Sequence, residues 1–107
     1  MRVLKFIVDE LTIKPDPDCD FSGLVPGTNG YLKAEFTFSP EWNGWVKVAS
    51  FYSVFGEEYP PQLLKDGKTC VIPKEALTKR EFKIKVVGKR GEAVIGTNKL
   101  AVRQNGG

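Results

Sequence analysis

Tyr31-Leu32-Lys33-Ala34-Glu35-Phe36-Thr37-Phe38 changes character at almost every residue. In an extended chain successive side chains point to opposite faces. Leu32, Ala34, Phe36 and Phe38 therefore share one face, and Tyr31, Lys33, Glu35 and Thr37 the other, which predicts a strand with one buried face. The same period recurs on both sides of it. Leu4, Phe6 and Val8 alternate with Lys5, Ile7 and Asp9, and Phe82, Ile84 and Val86 with Lys83, Lys85 and Val87. Trp45 to Phe55 is β-branched and aromatic in both registers, so it predicts a strand either sandwiched or partly exposed for binding.

Turn signals separate these runs. Ser39-Pro40-Glu41-Trp42-Asn43-Gly44 reads as a turn, and Tyr59-Pro60-Pro61-Gln62-Leu63-Leu64 as an edge piece, since proline cannot donate to a ladder. Lys65-Asp66-Gly67-Lys68 predicts a tight hairpin turn, with a short strand over Thr69-Cys70-Val71-Ile72 after it. Pro73-Lys74-Glu75-Ala76-Leu77 fits one helical turn with proline at its first position. Gly88-Lys89-Arg90-Gly91 predicts the next turn, ahead of closing strands over 93–96 and 99–103. Near the start, Pro15-Asp16-Pro17-Asp18 ends the opening strand, and residues 14–30 form a long irregular connection of a kind that often carries function.

The fold class is therefore all-β: a single immunoglobulin-like β-sandwich of seven or eight short strands with one short helical turn. It spans residues 1–105, with a polar tail over 104–107. Cys19, Trp42 and Cys70 follow the Cys–Trp–Cys order of antibody domains, but Cys19 lies in an acidic, proline-flanked loop, which argues against an antibody-type core. A Cys19–Cys70 disulfide needs Cα atoms within about 7 Å, and the sequence leaves that open.

Composition sets the outer bounds. The chain has 107 residues, enough for one modest core, and 41% hydrophobic against 27% charged residues points to a folded rather than a disordered chain. No apolar stretch is long enough for a membrane-spanning helix, so no membrane insertion is expected. The first ten residues turn acidic too early for a signal peptide and lack a small-residue cleavage site, so synthesis and initial retention in the cytoplasm are expected. Residues 1–53 carry five Lys/Arg and seven Asp/Glu, residues 54–107 eleven and six, so the second half is the basic one.

Site chemistry is sparse. The absence of histidine removes the usual general base and the commonest zinc ligand, so no catalytic residue, cofactor or metal is assigned and the chain is read as not an enzyme. Asp16, Asp18 and Asp20 resemble a calcium loop in spacing, yet Phe21 and Gly27 stand where such a loop needs Gly and Glu. Gly88-Lys89-Arg90-Gly91 lacks the spacing of a phosphate loop. Lys79, Arg80, Lys83, Lys85, Lys89 and Arg90 could line one hairpin, but without interleaved aromatics they argue for solubility and edge protection rather than nucleic-acid binding. The more suggestive group is aromatic: Tyr31, Trp42, Trp45, Tyr52 and Tyr59 are the candidate interface residues, with Phe55 beside them.

Phe36-Thr37-Phe38-Ser39-Pro40-Glu41-Trp42-Asn43-Gly44, then Lys47-Val48-Ala49-Ser50-Phe51, resembles a recurrent signature of small immunoglobulin-like β-sandwich domains in bacteriophage structural proteins, of tail-fibre, baseplate or head-fibre type. Leu64 to Leu77, with its Cys-apolar-apolar-Pro strand, is similar to the central segment of the same domains, and Val87-Gly88, Gly91 and Thr97-Asn98 also fit. The resemblance covers roughly residues 30–105 and does not extend to the loop at 14–30. It implies a non-catalytic virion module, made in the cytoplasm of a bacterial host, that binds other virion proteins or itself, or presents a fibre. A carbohydrate-binding module recognising a cell-surface glycan for host attachment and a small inhibitor of a host defence protein are the alternatives. Both a standalone protein and one domain of a longer fibre protein are compatible with this reading.

Overall fold

The computed structural model describes residues 2–24 and 32–104. Among these residues nine strands run in chain order: β1 Arg2–Asp9, β2 Thr12–Pro15, β3 Leu32–Phe38, β4 Val46–Tyr52, β5 Gln62–Leu63, β6 Thr69–Val71, β7 Glu81–Arg90, β8 Ala93–Gly96 and β9 Leu100–Arg103. Two 3-10 turns, Pro40–Trp42 and Lys74–Thr78, are the helical elements. The strands form two sheets, β2-β1-β3-β6 and β5-β4-β7-β8, with β9 also on β7.

The all-β sandwich expected from the period-two runs is the architecture observed. Leu32, Ala34 and Phe36 of β3 are buried, as are Leu4, Phe6 and Val8 of β1 and Phe82, Ile84 and Val86 of β7. Alternation places each set on the inner face, where the two layers interdigitate. A run of aromatic contacts crosses this core. Phe21 meets Phe6 edge-on at 5.5 Å, Phe6 stacks on Phe36 at 5.5 Å, Phe38 lies 5.9 Å from Phe36, and Trp42 lies 5.3 Å from Phe38.

Three local expectations are corrected. Lys14 and Pro15 do not begin the irregular loop: with Thr12 and Ile13 they form β2, which pairs back on β1 from Phe6↔Pro15 to Asp9↔Thr12. Their turn was hidden because Glu10, not glycine, takes the left-handed conformation at φ 54°. The Asp66-Gly67 turn makes no hairpin, because β5 pairs with β4 while β6 pairs with β3, so it carries the chain from one sheet to the other. Gly88 lies inside β7 rather than in a turn; the chain reverses at Gly91-Glu92.

The topology accounts for the long connection. β3 runs antiparallel to β6, and β7 runs antiparallel to β4, β8 and β9. β1, however, runs parallel to β3, from Arg2↔Leu32 to Val8↔Phe38. A parallel neighbour demands a connection that returns to the starting end. β2, antiparallel to β1, brings the chain back toward that end. Residues 16–24 are tied to β1: Arg2 Nη2 donates to the Asp20 carbonyl at 2.8 Å, and Leu24 is buried.

β8 and β9 share one edge of β7. Between Gly96, opposite Val87, and Leu100, opposite Ile84, that edge advances four residues while β7 advances three, so one extra residue makes a bulge at Thr97–Lys99. Gln104, read as the start of a polar tail, is buried; its amide group donates to the Lys79 carbonyl at 2.6 Å and the Leu77 carbonyl at 3.3 Å.

Candidate interaction face

The five aromatics singled out from sequence do not form one platform. Tyr31 lies outside the described residues. Trp42 is a correction: it is fully buried, and its indole Nε1 donates to the Glu10 carbonyl at 2.7 Å, so it offers nothing to a partner. It ends the Pro40–Trp42 turn, in which it is the buried residue. Trp45 and Tyr52 are half-buried at opposite ends of β4. The Arg90 guanidinium sits 4.5 Å from the Trp45 ring, and Lys99 Nζ lies 4.0 Å from the Tyr52 ring. Each cation covers one face of its ring. Tyr59 is half-buried and packs on the core, its amide held by the Phe51 carbonyl at 2.8 Å.

The open apolar surface lies elsewhere. β4 buries Ala49 and Phe51 on its inner side and turns Val46 and Val48 outward. Val48 stands between Leu63 of β5 and Val87 of β7, and Lys89 stands between Val46 and Val94 of β8. Val46, Leu63 and Val94 are 56%, 51% and 61% exposed. Lys83, Lys85 and Lys89 occupy the outward positions of β7 on this face. Gly96 leaves room for the Lys85 stem, whose Cε would lie 3.1 Å from a Cβ at position 96. The outcome is an apolar strip across the β5-β4-β7-β8 sheet, set among lysines.

Phe55, left out of the candidate set, is the most exposed large hydrophobic residue among the described residues, at 95%. The clue was present in sequence: an aromatic at the far end of a strand whose inward face was ambiguous. Other groups serve the fold. Asp16 and Asp20 accept from the Asp18 and Ser22 amides at 2.9 and 2.8 Å. Bonding to Ser22 holds the Asp20 carboxyl below its ordinary range. Among the described residues no three His, Cys, Asp or Glu side chains are grouped as metal ligands, and no helix is long and apolar enough to cross a membrane. Cys19 and Cys70 are free thiols, the first half-buried and the second buried.

No protein-family model matches the chain, and no curated protein matches it.

Proposed function

We propose that this chain is a non-catalytic protein-binding module, serving as a structural or adhesion part of a bacteriophage virion, and that it meets its partner with the outer face of the β5-β4-β7-β8 sheet. The observation that carries this reading is the exposure of Val46, Leu63 and Val94 together on that face. Scattered apolar residues on a surface are ordinary, whereas a contiguous strip rimmed by polar groups marks interaction surfaces. Lys83, Lys85 and Lys89 favour a partner with acidic groups and speed its encounter. The virion setting comes from the resemblance of residues 36–51 and 64–77 to phage structural domains.

The arrangement of the aromatics favours protein over glycan. A sugar platform presents open, coplanar rings, but Trp42 is buried and Trp45 and Tyr52 each carry a cation on one face. A glycan array is expected to give no hits. The decisive experiment is capture of particle proteins by the immobilised chain, with Val94→Asp as the paired control. A protein retained by wild type and lost with the folded variant supports the reading. Equal retention by both would move the interface off this face, and glycan binding without protein capture would replace it.

A further inference from the structure

Opposite ends of β4 carry features of opposite charge. At the far end, Val54-Phe55-Gly56-Glu57-Glu58 forms a turn with Phe55 at its tip. Ser53 holds it in shape: its Oγ accepts the Phe55 and Glu57 amides at 3.2 and 3.0 Å, and its own amide donates to the Glu57 carbonyl at 2.8 Å. Gly56, at φ 89°, donates to the Ser53 carbonyl at 3.0 Å and closes the loop. The ring is thus presented on a preorganised turn, which lowers the ordering cost of inserting it into a partner. Glu57 and Glu58 flank it, and neither takes part in the ion pair among the described residues, Arg103–Glu81.

At the near end, Trp45, Val46, Lys47, Leu63 and Lys65 line a groove of about 310 Å³. Its walls are apolar and its charges positive. Lys47 and Lys65 belong to it, Arg90 lies on the Trp45 ring, and Lys89 stands opposite Val46. A phenyl ring fits that volume, and two glutamates beside it would meet lysines.

We infer that this protein associates with itself head to tail, the Phe55 tip of one copy seating in the Trp45–Leu63 groove of the next. The inference rests on the protein-binding reading above and names one occupant for part of that face. Seven strand residues at about 3.3 Å each put tip and groove roughly 23 Å apart along one axis. A contact between two different surfaces of identical copies is heterologous, so it closes into a ring or continues as a fibre. One ring and a few charges make a small interface, so each joint is weak and weakens further with salt.

The test is sedimentation velocity from about 10 µM to about 1 mM, the range of weak protein contacts. Wild type is expected to rise above the 11.9 kDa monomer with concentration, and less so in high salt. Phe55→Ser and Leu63→Asp, both at exposed positions, are each expected to stay monomeric, with circular dichroism checking their fold. Val46→Asp replaces Leu63→Asp if that variant misfolds. An equal mixture of tip and groove variants is expected to form dimers and nothing larger, because one lends the groove and the other the tip. A monomeric wild type, undiminished association of Phe55→Ser, or no dimer in the mixture would overturn the inference. If wild type is monomeric yet captures particle proteins through Val94, this inference fails and the protein-binding reading stands.

Discussion

The Trp42 indole occupies the space that a side chain at position 88 would need. A Cβ on Gly88 would lie 2.8 Å from Trp42 Cζ3 and 3.1 Å from Ile95 Cγ1. The glycine in the middle of β7 is therefore a steric requirement of the tryptophan, and the tryptophan is a plug for the end of the sandwich. Gly88→Ala is expected to cost about 1–3 kcal/mol by overpacking. Denaturant unfolding measures it, and an unchanged midpoint would show that the indole can shift aside.

Asn98, between β8 and β9, ties one sheet to the other. The bulge at Thr97–Lys99 aims its carboxamide across to β2, where Oδ1 accepts the Ile13 amide at 2.9 Å and Nδ2 donates to the Ile13 carbonyl at 3.5 Å. A side chain thereby satisfies backbone groups at a sheet edge. Asn98→Ala is expected to cost about 1 kcal/mol, the usual net worth of such a bond. Hydrogen exchange at the Ile13 amide should quicken more than that at Phe36 in the sheet interior.

Asp66 governs the crossing between sheets. Its carboxylate accepts the Lys68 and Thr69 amides at 3.0 and 2.7 Å and the Thr69 hydroxyl. The hydroxyl bond first, then the amides, hold its pKa well below the ordinary 3.8. A depressed carboxylate stabilises the fold above its unfolded pKa and loses that contribution as pH falls through the folded value. Asp66→Ala should therefore lower the melting temperature at pH 5–7. The gap to wild type should shrink steadily below pH 3.8, and a gap constant down to pH 2 would contradict this account.

The two thiols should differ in reactivity. Burial, with a smaller contribution from the nearby Asp66 charge, pushes the Cys70 thiol from 9.0 up to about 12. The thiolate is the reactive form, so Cys70 is almost wholly unreactive at pH 8. Cys19 is half-buried, its sulfur accepting the Lys5 amide at 3.3 Å. An aromatic disulfide reagent should label one equivalent on the native chain, mapped to Cys19 by mass spectrometry, and a second on unfolding. Equal rates for both would contradict the burial of Cys70.

Most of the sandwich is legible in the sequence because period-two runs such as 32–38 and 82–87 carry their inward faces openly. What escapes has local physical causes. The β1–β2 hairpin turns on Glu10 in a conformation normally signalled by glycine, and Pro15 looked like a stop although an edge strand tolerates it. The Asp66-Gly67 pair signals a tight turn but cannot say which sheet each flank will join. The parallel pairing of β1 with β3 is a long-range choice that no local pattern encodes. For the interaction face, the two-sided apolar character of β4 was visible, but sequence could not tell which register faces inward. Of the aromatics grouped from the sequence, Trp42 consequently plugs the core, while Phe55, named beside the candidates, stands in solvent.

The central claim, a protein-binding face on the β5-β4-β7-β8 sheet, is tested most directly by hydrogen–deuterium exchange of the chain alone and bound to the partner it captures. The account predicts added protection at the edges of that face, in β5 and β8 and the turn before β5. Protection gained instead along β1, β2 or β6, with β5 and β8 unchanged, would contradict it.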